Sequence, residues 1–294
     1  MIHLVIVSLL WSVSFGLIKG NLQGLDSTFV AFARLLVSLV AFVPFLRPKY
    51  LARRDWFELP LLGALQYGVM YALYLESYKT LEAHEVALFT VTTPIFVVLV
   101  EMVLGGRFLF VSILAAVTAA TGAAVLTFQD GAHVAAWQGL GLLQLSNLCF
   151  AIGQVRYRRL MRERTAVSQA QHFALLYLGG AVASGLLVVV KGGLPALASI
   201  TETQERTLLY LGLVPSALGF FLWNLGASRS TPGVLAVMNN AKAPLGVLVS
   251  LALFGERGDP IRLVASLVLL SSALYLAHRV EQPLGPAKGS PPTR

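Results

Sequence analysis

Residues 93–107 read TPIFVVLVEMVLGGR, and residues 243–257 read APLGVLVSLALFGER. In each, a proline opens an apolar run, a glycine follows eleven residues on, and an arginine stands two beyond it. Pro94 and Pro244, Gly105 and Gly255, and Arg107 and Arg257 share an offset of 150 residues, which Lys79 and Arg229 keep as well. The chain therefore reads as two similar halves. If each half crosses a membrane five times, the odd number makes the second copy enter from the opposite face. The halves are then related by a pseudo-two-fold axis in the membrane plane, an arrangement that places a site near the midplane.

The composition calls for lipid. Of 294 residues, 56% are hydrophobic and 12% charged, and the mean hydropathy is +0.74. Soluble domains run near half apolar and a quarter charged. Ten apolar segments can be cut from the chain, at 2–18, 28–46, 57–78, 83–104, 108–127, 137–155, 169–190, 207–227, 232–254 and 261–278. Most approach the ~20 residues a helix needs to cross ~30 Å of hydrocarbon. They are uniformly apolar instead of alternating, so helices are expected and barrel strands are not. Leu4 to Ile18 has no basic region before it and no small-residue cleavage site, so it reads as a retained first helix. The Pro-, Gly- and Ser-rich stretch 281–294 reads as a flexible tail.

Charge orients the helices. With the N-terminus cytoplasmic, fourteen of the 22 Lys and Arg fall on the cytoplasmic side and six on the other, while Arg34 and Lys242 lie inside spans. That bias puts both termini in the cytoplasm and requires an even helix count. The net charge of +8 does not indicate nucleic acid, because the basic residues sit in loops between apolar runs. The single cysteine, Cys149, cannot form an internal disulfide, and no CxxC, HExxH or GxxxxGK[ST] spacing occurs. Neither a metal nor a cofactor is expected.

Polar and aromatic residues inside spans mark candidate function, because burying them in lipid is costly. Tyr67, Tyr71, Tyr74 and Tyr78 are spaced 4, 3 and 4 apart and share a helical face. Tyr71, Tyr74 and Tyr78 are candidate cavity walls, with interhelical packing as the competing reading. Asn239, Asn240 and Lys242 precede Pro244 and form the most polar cluster in any span. They could bind a substrate carboxylate, or Lys242 could serve carbonyls freed by Pro244. Trp11, Phe15, Asn147 and Trp223 are further candidates for the substrate site. Pro94, Pro244 and Glu101 are candidates for bending or gating, although Glu101 could equally be an interfacial carboxylate. Arg34 reads as structural, capping carbonyls or pairing across helices. The segments 108–127 and 261–278 read as frame.

Taken together, Trp11-Ser12-x-Ser14-Phe15, Phe32-x-Arg34, Thr93-Pro94 and Phe254-Gly255-Glu256-Arg257 resemble the tandem EamA-domain type of the drug/metabolite transporter superfamily. The first half departs at Gly105-Gly106-Arg107, where Glu is usual. The resemblance implies an all-α integral membrane fold of ten transmembrane helices as two inverted five-helix repeats. The repeats would span 1–131 and 132–280, followed by a cytoplasmic tail, in a bacterial-type inner membrane. Within the superfamily the chain is similar to bacterial aromatic amino-acid exporters. The implied function is export of amino acids by alternating access, with a small-molecule substrate and membrane lipid as partners and a monomer sufficient. Export of drugs or other amphipathic metabolites is the alternative. An intramembrane lipid-modifying enzyme would need a buried nucleophile, a carboxylate pair or a metal set, and a channel a continuous polar lining.

Overall fold

A computed structural model describes residues 2–22, 24–81, 86, 89–90, 92–105, 110, 113–114, 116–118, 120–121, 137–162, 164–192, 200–241 and 260–280. The described regular structure is helical: α1 (Ile2–Asn21), α2 (Ser27–Phe42), α3 (Asp55–Gly63), α4 (Met70–Ser77), α5 (Thr93–Gly105), α6 (Trp137–Met161), α7 (Ala166–Lys191), α8 (Glu202–Leu211), α9 (Gly219–Ser228), α10 (Pro232–Asn240) and α11 (Pro260–Val280). Most of the expected segment 108–127 and residues 242–254 of the expected segment 232–254, with Lys242 and Pro244, lie outside the described residues, as does the tail. Three stretches, Ser27–Phe45, Ser168–Lys191 and Glu202–Ser228, are long and apolar enough to cross a membrane. Helices suit that solvent because they satisfy their backbone internally. Apolar side chains such as Val40, Val103, Leu186 and Val190 project outward, where lipid can cover them.

The helix ends carry their own signals. Asp26 caps α2 by accepting from the amides of Thr28 and Phe29. Thr165 caps α7, Thr201 and Gln204 form a capping box on α8, and Thr231 caps α10 ahead of Pro232. Gly192 ends α7 in the left-handed region at φ 69°, where a residue with a Cβ would be strained. The helix α6 runs to Met161, further than the apolar segment 137–155. Arg156, Arg158 and Arg159 therefore sit on its last turns and not in a loop, where cations complement the helix dipole.

Contacts define two ends of the bundle. At one, Arg164 Nη2 donates to Asp55 Oδ1 at 3.2 Å, and Arg158 and Arg159 hold Glu101 at 3.4 and 3.1 Å. At the other, Lys79 and Lys191 hold Glu76 at 2.8 and 3.0 Å, and Asn21 Nδ2 donates to Thr207 Oγ1 at 3.0 Å. We call these the Arg-rich end and the Glu76 end. Thus α1 runs toward the Glu76 end and α6 away from it.

The third and eighth segments each pass through a π-helical stretch, Ala64–Val69 between α3 and α4 and Gly212–Leu218 between α8 and α9. The packing there is reciprocal: α2 lies on Gly212–Leu218 and α7 on Ala64–Val69, while α2 and α7 pack on each other. Glycines permit the approach. A Cβ on Gly63 would sit 1.9 Å from Leu176 O, one on Gly179 1.8 Å from Pro60 O, and one on Gly212 2.6 Å from Val37. Small residues at crossings let backbones meet where lipid supplies no hydrophobic force between helices.

A candidate substrate cavity

Segment 83–104, read from sequence as one helix, is interrupted. Phe89 and Thr90 are helical, Thr92 is in a turn, and α5 starts at Thr93 with Pro94 in its first turn. Proline there lacks the N–H that Thr90 O would have received. Thr93 Oγ1 donates to that carbonyl instead, at 2.7 Å. Asn147 Nδ2 and Gln144 Nε2 donate to Phe89 O at 3.1 and 3.3 Å. The break is therefore held by amides from α6, and it opens space between α5, α6 and α4.

That space is a cavity of about 100 Å³ that is partly open to the outside. Trp11, Ser14 and Ile18 line it from α1, Arg34 from α2, Met70, Tyr71 and Tyr74 from α4, Thr90 and Thr93 from the break, Ser146, Asn147 and Phe150 from α6, and Phe220 from α9. Ile18 and Tyr74 lie in the last turn or so of α1 and α4, so the cavity occupies the half nearer the Glu76 end. At the Arg-rich end the ion network closes the bundle. Arg159 Nη1 also donates to Leu104 O at 2.7 Å, and Arg158 Nε to Ser230 O at 3.0 Å.

Five of the thirteen described lining residues are aromatic, and one, Arg34, is charged. Arg34 is 2% exposed. Its Nε donates to Ser216 Oγ at 3.1 Å, and its guanidinium carbon lies 4.7 Å from the centre of the Tyr71 ring. No carboxylate among the described residues pairs with it, and none lines the cavity. Trp11 Nε1 donates to Pro215 O at 2.9 Å, fixing the indole against Phe150 and Phe220. Ser146 Oγ donates to Met70 O at 2.9 Å, tying α6 to α4. Asn147 spends its amide donors on Phe89 O and Thr92 Oγ1; its carbonyl oxygen has no hydrogen bond to a described residue.

Of the candidates read from sequence, Trp11, Tyr71, Tyr74 and Asn147 come together in this lining. Tyr78 is not among the lining residues; its hydroxyl lies 2.8 Å from that of Tyr74, beside the Leu81, Val86 and Leu143 cluster. Trp223 is fully buried behind Trp11, ring centres 5.0 Å apart. Asn239 and Asn240 are buried on α10, away from this lining. Phe15 belongs to α1, but its side chain falls outside what is described, and so does all of Lys242 and Pro244. Tyr67 shares the tyrosine spacing, yet it is packed among Phe173, Tyr177 and Phe220 in the core. Arg34, read from sequence as structural, is the cavity's cation. A charge inside an apolar span was the available signal; that no described carboxylate stands beside it could only be seen in three dimensions.

Comparison with known proteins supplies the family. Residues 1–128 match the EamA-like transporter family. The probable biotin transporter of Pseudomonas aeruginosa is 37% identical over 93% of this chain and 96% of its own. The chain belongs to the EamA-like transporter family. It is a membrane transporter, not an enzyme. The biotin transporter of Escherichia coli K12 is 36% identical over 92% of this chain and 90% of its own. A probable terminal-alkyne amino-acid exporter of Streptantibioticus cattleyicolor is 24% identical over 94% and 92%. A crystal structure aligns with a TM-score of 0.76 over 94% of this chain and 96% of that one, at 17% identity, and supports the shared fold. The relatives bear out the coarser part of the sequence-based expectation, membrane transport, and those named for biotin do not specifically support amino-acid export.

Proposed function

We propose that the protein carries a biotin-like monocarboxylate, with an apolar body and a neutral hydrogen-bonding head, by alternating access. The observation that carries this reading is the cavity's charge: one buried arginine and no carboxylate among its described lining. An anionic ligand is matched there. A zwitterionic amino acid would bring an ammonium with no acidic partner among the described lining residues, because Glu76 and Glu101 are held by basic residues at the two ends. Arg34 would take the carboxylate, since a guanidinium presents paired donors. Trp11, Tyr71, Phe150 and Phe220 would hold the apolar body. Thr90, Thr93 and the carbonyl of Asn147 would face a ureido-type head, which both donates and accepts. Relatives named for biotin support the same chemistry.

The architecture behind this is ten spans in two inverted five-helix repeats, with both termini cytoplasmic. The opposite directions of α1 and α6, the π-helical stretches in the third and eighth segments, and the reciprocal seating of α2 and α7 support that reading. The Arg-rich end is then cytoplasmic by the positive-inside rule, and the cavity faces the other side. A second reading, an amino-acid substrate, has one feature in its favour: aromatic faces such as Tyr74 and Trp11 can hold an ammonium by cation–π attraction.

Counterflow in proteoliposomes decides between them. Biotin-loaded vesicles should accumulate labelled biotin saturably, with desthiobiotin competing and phenylalanine not. Saturable phenylalanine flux with no biotin flux would overturn the proposal.

A further inference from the structure

Below the cavity, toward the Arg-rich end, the same helical faces continue into a layer of buried polar side chains. On α6, Gln154 stands four residues beyond Phe150 and seven beyond Asn147, on the face that lines the cavity. Gln66 precedes the lining residue Met70 by four, and Trp223 and Asn224 follow Phe220 by three and four. Gln154, Gln66, Trp223 and Asn224 are all 0% exposed. Both amide atoms of Gln154, Gln66 Oε1 and Trp223 Nε1 have no hydrogen bond among the described residues.

Two of the four are bonded to each other, and helix position and packing bring the other two to the same level. Gln66 Nε2 donates to Asn224 Oδ1 at 3.3 Å. A Cβ on Gly153, the residue before Gln154, would fall 2.3 Å from the Gln66 side chain. Trp223 packs under the cavity residue Trp11. One turn further along α6, Arg158 joins the Glu101 network that shuts this end. The layer therefore lies between the cavity floor and the ion network.

A buried polar group left unpaired is costly, and native cores hold few of them. Four such atoms in one layer fit a surface that is dry in this conformation and wetted in another. We propose that Gln66, Gln154, Trp223 and Asn224 form a second substrate station, shut here and lining the cavity when it opens to the Arg-rich end. The ligand chemistry it suits is neutral: the Gln154 amide, the carbonyl oxygen of Gln66 and the Trp223 indole N–H match a urea- or amide-like head and bring no cation to a carboxylate, while Asn224 is engaged by Gln66 and Tyr67. A substrate passing through would keep its head in this layer after its acid group leaves Arg34. The inference rests on the alternating-access reading above but not on biotin being the cargo.

Two arms test it. In a Cys149→Ser background, Gln154→Cys should react with a membrane-impermeant methanethiosulfonate applied from the Arg-rich face, and Ser146→Cys with the reagent from the opposite face. Separately, Gln154→Met, close in shape but without polar atoms, should lower labelled-biotin counterflow at least tenfold. It should leave the thermal midpoint unchanged or higher, and biotin affinity within twofold. A Gln154→Cys protein unreactive from both faces while the Ser146→Cys protein reacts, or Gln154→Met transporting at the wild-type rate, would overturn the proposal. If the wild-type protein fails to carry biotin, the substrate reading falls and the labelling arm alone decides this one.

Discussion

Replacing Arg34 by Met isolates the charge on which the substrate reading depends. The guanidinium is almost wholly buried, with one side-chain hydrogen bond, to Ser216, and one aromatic neighbour, Tyr71. A hydrogen bond to a charged group contributes about 1.5–3 kcal/mol. At 1.4 kcal/mol per decade, losing the contact to a substrate carboxylate should weaken biotin binding roughly 10- to 150-fold. The methyl ester of biotin, which presents no charge, should lose little. Wild-type protein should therefore prefer the acid over the ester by about that factor, and Arg34→Met should not discriminate. Arg34→Lys should recover part of the preference, keeping the charge but losing the paired donors. Calorimetric titration of both ligands in detergent measures the four affinities and closes a double-mutant cycle. Folding should survive, because the substitution removes a buried charge that no described carboxylate balances. An Arg34→Met protein that folds and still prefers the acid tenfold would refute the argument.

Glu101→Gln should loosen the Arg-rich end. Partly exposed ion pairs are worth about 0.2–1 kcal/mol, so thiol labelling of Gln154→Cys from that side should accelerate by up to about fivefold. Gly179→Ala forces a Cβ against Pro60 O; overpacking of this kind costs about 1–3 kcal/mol, and a lowered thermal midpoint in detergent should report it. Burial pushes the Asp26 carboxyl up, but hydrogen bonds from the Thr28 hydroxyl and the Phe29 and Thr28 amides, with Lys79 nearby, hold it below the usual value of 3.8. Because the folded value is the lower one, the stabilisation is full above the unfolded pKa and fades as pH falls through the folded one. Asp26→Ala should cost about 1 kcal/mol as a lost helix cap at pH 7 and progressively less below pH 4, as thermal midpoints at several pH values would show.

The apolar runs determined a helical membrane fold, because a 56% hydrophobic chain of this length has no other way to hide its surface. Periodicity also placed Tyr71, Tyr74 and Asn147 on faces that reach the cavity. Spacing could not separate Tyr67 from Tyr71: both sit on the same stripe, and only the seating of α7 against the π-helical turn put one ring in the core and the other in the wall. The apolar pattern of segment 83–104 likewise concealed its break, since the Thr90 carbonyl left by Pro94 is met by the Thr93 hydroxyl and the neighbouring Phe89 carbonyl by Asn147 and Gln144, partners that a local pattern does not register. The sequence by itself determined where the lipid is and which faces are polar. Tertiary packing alone decided that Arg34 stands at the cavity wall with no carboxylate among the described residues, because charge balance around a buried group depends on residues such as Ser216 and Tyr71 that are remote in the chain and adjacent only in the fold.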